Sequence, residues 1–283
     1  INNDPRHPMQ NRFKGIFAPG SSLKPIIAAI GLSQNKFSAS DDFGNSGKRW
    51  QKNKSWGGYY VTTLHDYSGH NVRNALIYSD NIYFAKAALK IGKDTLKDQF
   101  DNLLFGKNLD FTFGLTASSY GNEGFTSEIQ LADSGYGQGE MMVNPVHMAT
   151  IYTAFSNKGN MLKPYLIKQK GSKKQVLKEH VFSNDAVKTV NDAMKQVISN
   201  PNGTGHAAQI DGIDLKGKTG TAEIKQSQTD TKGTELGWFV TIMPKTEYKE
   251  SLELVSMTED VKKRGGSGYV VNKTKKILEE YLQ

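Results

Sequence analysis

Three short groups of residues in this 283-residue chain could do chemistry together. The first is Ser21-Ser22-Leu23-Lys24. A serine hydroxyl is a weak nucleophile at neutral pH and needs a base within hydrogen-bond reach. On a helix, residues three apart lie on one face about 5–6 Å apart at Cβ, so Lys24 can bring its nitrogen to Ser21 Oγ. The free N–H groups of a helix start would stabilise an oxyanion formed there. Lys24 must lose its proton to act as the base, which takes burial or a neighbouring positive charge. The second group, Ser79-Asp80-Asn81, offers a hydroxyl to relay a proton and a carboxamide to bind a substrate carbonyl. The third is Lys218-Thr219-Gly220-Thr221, in which Gly220 permits close approach of a ligand while Lys218 and the two threonine hydroxyls could hold a carboxylate.

Taken singly, each group has an ordinary structural reading. Ser21 with Lys24 also describes a helix cap followed by a snorkelling lysine. Ser79-Asp80-Asn81 also describes a capping turn, since caps favour those residues. The three in this order, on a helix, an interhelical turn and a strand, form a set with a shared purpose in serine acyl transfer. Gly212 to Thr219 fits the P-loop expression letter for letter, but a P-loop needs a strand before its first glycine and a helix directly after its threonine. Here Ile213-Asp214-Leu215 reads as extended and Gly220-Thr221 follows at once, which argues against a nucleotide site.

The elements that must position these residues are partly legible. Ala18-Pro19-Gly20 breaks the chain before a buried helix from Ser21 to Leu32, whose Pro25 falls in the tolerant first turn. Asp41 to Gly58 reads as an irregular excursion. Helix resumes after Asn71, breaks near Ser79 and restarts at Asn81 to stop at Gly92. A helix from Thr95 to Leu104 precedes a Gly-, Ser- and Thr-rich stretch. Asn144-Pro145 caps a helix from Val146 to Phe155, and Ser183 caps another in which Val187, Val190, Met194 and Val197 mark one buried face. Strand-like runs follow at Ile210–Lys218, Leu236–Met243 and Leu252–Met257, and Tyr269–Leu282 closes the chain as a helix. The fold class expected is α/β (α+β), an antiparallel sheet flanked by helices with an all-helical lobe.

Composition narrows the function. Cysteine is absent, which removes a disulfide framework, a thiolate metal site and a cysteine nucleophile together. The six histidines fall in no H-x-x-x-H spacing, so no metal site is expected. Gly135, Gly137 and Gly139 do not make a dinucleotide fingerprint. Mean hydropathy is −0.55 and no apolar run approaches the ~18 residues of a membrane span. The net charge of +8 favours an anionic partner without choosing among nucleic acid, membrane and wall polymer.

With the three groups in hand, the chain resembles the transpeptidase domain of class B penicillin-binding proteins, of the low-affinity, methicillin-resistance type found in Gram-positive bacteria. The likeness spans nearly the whole chain and includes Trp50 to Tyr59, Ser79 to Ala85, Leu131 to Glu140, Asn144-Pro145 and Lys218 to Glu223. The resemblance implies that Ser21 is acylated, Lys24 is its base, Ser79 relays the proton to the leaving group and Asn81 holds the substrate amide. Lys218 and Thr219 would shape the electrostatics of the cleft, Gly220 would let the substrate approach, and the N–H groups of Ser21 and Thr221 would form the oxyanion hole. Tyr59 and the loop from Tyr136 through Gln138 to Gly139 would flank the groove. No cofactor is implied. The expected partners are stem peptides ending in D-Ala-D-Ala, β-lactams and a wall-synthesis glycosyltransferase, with no nucleic acid. Alternatives are a β-lactamase, or a β-lactam sensor, whose second motif lacks the Asn. The β-lactamase element E-x-x-L-N has only Glu128-Ile129-Gln130-Leu131-Ala132 as a look-alike, without its Asn. In this family, strands and a helix precede the nucleophile, whereas here twenty residues do. The expectation is therefore a domain over 1–283 lacking its N-terminal strands, with the non-catalytic region and membrane anchor upstream and the enzyme on the outer face of the cell membrane.

Overall fold

The computed structural model describes residues 11–121, 123–167, 173–224 and 233–283. Two 3-10 turns, Arg12–Lys14 and Gly20–Leu23, lead into α1 (Lys24–Ser33). The helix expected from Ser21 therefore starts three residues later as an α-helix. Gly20 has φ +52° and Ser22 Oγ donates back to the Pro19 carbonyl at 2.7 Å, which winds the chain tightly before it relaxes into α1. In a 3-10 turn, residues three apart eclipse, so Ser21 and Lys24 remain stacked on one side. Leu23, Ile26, Ile27 and Ile30 are wholly buried, and so is Lys24. An apolar helix covered on all sides runs through the core of the fold.

The excursion expected after it contains β1 (Arg49–Trp50) and a 3-10 turn at Lys54–Trp56, and β1 pairs antiparallel with β2 (Val61–Thr62) just beyond it. α2 (Val72–Ile77), α3 (Asn81–Ile91) and α4 (Lys93–Asn102) follow. Asn71 caps α2 by accepting from Asn74 N–H, and Asp80 caps α3 by accepting from Ile82 N–H. α5 (Glu128–Ser134), capped by Ser127, lies in the stretch expected to be irregular. Seven residues hold too few turns for an apolar period, so only the Ser127 cap and Glu128 in the first turn announce it. α6 (Pro145–Ser156), the hairpin β3 (Met161–Leu162) with β4 (Val176–Lys178), and α7 (Asn184–Ser199) complete the helical part. Asn144 and Ser183 cap α6 and α7 as expected.

β5 (Lys216–Ile224), β6 (Thr234–Met243) and β7 (Leu252–Thr258) form one antiparallel sheet in chain order, and α8 (Ser267–Leu282) packs on it. The sheet has an apolar layer on each face. Trp238, Val240 and Ile242 join the large core shared with α1, α3, α6 and α7, whereas Phe239 and Met243 join Val270, Val271 and Leu278 of α8. One expected strand is displaced. Ile210–Leu215 is a turn in which Ile213 N–H bonds to the Ile210 carbonyl and Gly212 takes φ +75°, and the strand begins at Lys216. The alternation of Ile210, Ile213 and Leu215 reflects side chains packed under α8, not pairing. Among the described residues, no helix is long and apolar enough to cross a membrane.

Candidate active site

The two ends of α1 and α3 and the middle of β5 meet at one hydroxyl. Ser79 sits between α2 and α3 with φ +55°, a conformation held because Asp80 N–H bonds to the Ala75 carbonyl at 2.9 Å and Asp80 then caps α3. The turn aims the Ser79 carbonyl and hydroxyl inward. Lys24 Nζ reaches the Ser79 carbonyl at 2.6 Å, Asn81 Oδ1 at 2.6 Å and Ser79 Oγ at 3.3 Å. Lys218 Nζ approaches the same Oγ at 2.8 Å and its own neighbour's carbonyl, Thr219 O, at 3.0 Å.

Both lysines are wholly buried. Burial, then the Lys218 charge, holds the Lys24 amine well below the usual lysine range, and Asp80 opposes this; burial alone brings Lys218 down to about 7. An unprotonated lysine has two N–H donors and one lone pair. The two carbonyl oxygens, of Ser79 and Asn81, use both donors, so the contact of Lys24 with Ser79 Oγ is one in which the hydroxyl can donate to the lone pair. Lys218 donates to that hydroxyl from the other side. The result is a proton path from Lys218 through Ser79 to Lys24.

Ser21 is half-buried in the 3-10 turn, and its hydroxyl has no hydrogen bond among the described residues. The pairing of Lys24 Nζ with Ser21 Oγ expected from spacing is not formed; the amine is turned instead to Ser79 and Asn81. The turn that carries Ser21 is clasped by backbone. Gly20 N–H donates to the Gly137 carbonyl at 2.9 Å. A Cβ on Gly137 would fall 2.1 Å from the Gly20 carbonyl oxygen, one on Gly20 would fall 2.4 Å from the Thr221 carbonyl oxygen, and one on Gly220 would fall 2.9 Å from Ser22 N. Glycine is required at all three positions for β5 and the 135–139 loop to close on Ser21. This brings the Ser21 turn against Gly220 and Thr221, with Gly220 admitting the backbone of Pro19 and Ser22. Thr219 is buried and its hydroxyl donates to Thr204 Oγ1 at 2.6 Å.

The remaining expected residues are engaged in ways the sequence does not reveal. Asn81 Nδ2 donates to the Thr62 carbonyl at 3.0 Å, so both ends of its carboxamide are occupied. Tyr59 is half-buried and donates to Asp133 Oδ1 at 2.5 Å; buried Tyr136 donates to the same oxygen. Burial and this shared carboxylate push both phenols up, and burial raises Asp133 against the two hydroxyls. The cluster anchors the loop that holds Gly20, through Gln138 N–H to the Asp133 carbonyl at 3.1 Å. Gln138 itself is half-buried beside that loop. Glu128 is exposed and bonded to Lys52 and Trp56. Among the described residues, no group of three His, Asp or Glu side chains could hold a metal ion.

Residues 1–279 match the family described as the penicillin binding protein transpeptidase domain. Penicillin-binding protein 3 of Bacillus subtilis is 40% identical over 278 residues, which cover 98% of this chain and 41% of that protein. The peptidoglycan D,D-transpeptidase FtsI of Escherichia coli is 27% identical over 226 residues, covering 79% of the chain and 36% of its own length. The chain thus spans less than half of the curated relatives it matches. Penicillin-binding protein A of Mycobacterium tuberculosis superposes with a TM-score of 0.83 at 17% identity, covering all of this chain and 65% of that one, which bears out the fold.

Proposed function

From the premise that the chain belongs to the penicillin-binding protein transpeptidase family, as a class B member, we infer that it is the catalytic unit of a D,D-transpeptidase that cross-links stem peptides of the cell wall outside the cytoplasm. The observation that carries this reading is the convergence of Lys24 and Lys218 on Ser79, with Asn81 bonded to Lys24, next to a Ser21 turn clasped between Gly137 and Gly220.

In this reading, Ser21 Oγ attacks the carbonyl of the penultimate D-Ala. The O–C bond forms, the Oγ proton goes to Lys24, and the N–H groups of Ser21 and Thr221 hold the oxyanion. The C–N bond then breaks. Ser79 passes the proton to the leaving nitrogen, D-Ala departs, and an amine of a second stem peptide takes the acyl group in the reverse sense. Before acylation, Lys24 must swing from Ser79 and Asn81 toward Ser21, which also frees Asn81 Oδ1 to accept from a substrate N–H while Nδ2 stays on the Thr62 carbonyl. Lys218, Thr219 and Gly220 line the far wall, with Tyr59, Tyr136 and Gln138 supporting the near one.

A β-lactam presents a strained carbonyl to the same serine and is retained as the acyl-enzyme. The M. tuberculosis relative was solved as a ceftriaxone acyl-enzyme complex, which supports this step. Glu128, bonded on the surface, is not placed to activate a deacylating water, which favours a transpeptidase over a β-lactamase. The low-affinity, methicillin-resistance character rests on the family resemblance alone, and the second-order acylation rate measures it. A fluorescent penicillin is expected to add one adduct, located at Ser21 by mass spectrometry and lost in Ser21→Ala. Unchanged labelling of that variant, or fast turnover of a chromogenic cephalosporin, would overturn the reading.

A further inference from the structure

Asp80 is the member of the Ser-Asp-Asn turn that the chemistry above leaves unused, yet its surroundings are elaborate. It is 2% exposed. Its Oδ1 accepts from Ile82 N–H at 2.8 Å; its Oδ2 accepts from Tyr67 O–H at 2.7 Å and lies 3.5 Å from His70 Nδ1. The Tyr67 ring stacks on Tyr78 at 4.4 Å and also meets the His70 ring at 4.4 Å. His70 is fixed through its backbone, whose carbonyl accepts from Phe43 N–H at 3.1 Å and whose N–H reaches Asp42 Oδ2 at 3.3 Å. Its Nε2 is buried with no partner among the described residues. An orphaned buried polar atom costs about 1–3 kcal/mol, so nothing on the far side of the ring holds it there. What it faces is Asp80.

The charged and titratable groups around Asp80 are few. Beyond Tyr67 and His70, they are Lys24, Lys86 and Tyr83, with Asp41 and Asp42 facing the outer side of Tyr83, and Asp42 also facing Tyr67 and Lys86. Lys218 also acts on Lys24, and both amines reach the Ser79 hydroxyl.

Resting on the reading of Lys24 as the base, we propose that Tyr67 and His70 are positioning residues for acylation, which fix the Asp80 carboxylate behind the Ser79 turn as the negative counterweight to Lys218. Two opposed charges then act on one buried amine. Lys218 pushes the proton off Lys24, while Asp80 keeps the amine basic enough to take the proton of Ser21. Without Asp80, Lys24 would be free of its proton at lower pH but would be a poorer base.

The test is the pH–rate profile for acylation of Ser21 by a fluorescent penicillin. Asp80→Asn keeps an oxygen for the α3 cap, removes the charge, and turns the atom facing Tyr67 into a donor to which the phenol oxygen can accept. Its acid limb is expected about one pH unit below that of the wild type, with a plateau rate several-fold lower. Tyr67→Phe and His70→Asn are expected to move the acid limb in the same direction by less, with melting temperatures within a few degrees of the wild type. Acid limbs that coincide with the wild type in all three variants overturn the proposal, while the adduct at Ser21 leaves the transpeptidase reading standing. If Asp80→Asn does not fold, a coincident limb in Tyr67→Phe decides the matter alone. Absence of any Ser21 adduct in the wild type overturns the transpeptidase reading and this proposal with it.

Discussion

Lys24 and Lys218 touch the same hydroxyl from opposite sides, so their amines lie no more than about 6 Å apart. Two like charges at that separation repel by about 3 kcal/mol at an effective dielectric of 20, so each amine disfavours the proton on the other and their titration belongs to the pair. Acylation in the transpeptidase reading needs Lys24 free and Lys218 charged. The rate should therefore rise with pH as Lys24 is released and fall again as Lys218 loses its proton near about 7. Lys218→Arg keeps its charge at any working pH, so the falling limb is expected to disappear in a stopped-flow acylation profile. Lys24→Ala is expected to slow acylation by about 10²–10⁴-fold while far-ultraviolet circular dichroism stays native. The letters of the three motifs disclose which side chains gather. They do not disclose that the Lys24 amine rests on Ser79 and Asn81, because rotamers follow the local acceptors and not the spacing. Tyr67, His70 and Asp133 leave no signal at all: a lone tyrosine, histidine or aspartate acquires meaning only from what the fold packs beside it.

Capping residues are the most readable feature among the elements. Asn71, Asp80, Asn144 and Ser183 each accept a helix N–H where the sequence places them, because a cap involves only one side chain and the turn that follows it. The start of α1 and the turn at Ile210–Leu215 depart from the sequence pattern because tertiary packing decides them. The first is wound tight by the clasp on Gly20, and the second is apolar only to cover α8. The clasp supplies its own test. Gly137→Ala sets a Cβ 2.1 Å from a carbonyl oxygen at φ +76°, and a loss of about 2–4 kcal/mol is expected in chemical denaturation. Gly212 has nearly the same φ, but a Cβ there would meet nothing within 4 Å, so Gly212→Ala should cost only about 1 kcal/mol. Equal losses in the two variants would show that steric closure on Gly20 contributes nothing.

For the molecule as a whole, one buried histidine ties distant segments. His147 Nε2 donates to the Leu103 carbonyl at 2.7 Å, and Nδ1 accepts from Ser118 Oγ at 2.8 Å, which itself accepts from Asn144 N–H. Asn144 Nδ2 in turn holds the carbonyls of Phe13 and Gly15, on the approach to Ser21. Burial lowers His147 to about 4. The unfolded chain, with an ordinary histidine, binds the proton first as pH falls, so this residue's contribution is intact above about 6.5 and is lost between there and about 4. The loss amounts to roughly 3 kcal/mol over that window. Urea midpoints measured from pH 7 to pH 4 should show it, and a wild-type midpoint that stays flat would contradict it. The clasp around Gly20 also fixes an order of events. Its three glycines, Gly20, Gly137 and Gly220, lie far apart in the sequence, so Ser21 is synthesised well before the last element that encloses it. Until β5 docks, Ser21 has no strand closed over it and Ser79 has no Lys218 beside it, so in the transpeptidase reading the chain passes through every earlier stage of folding chemically silent.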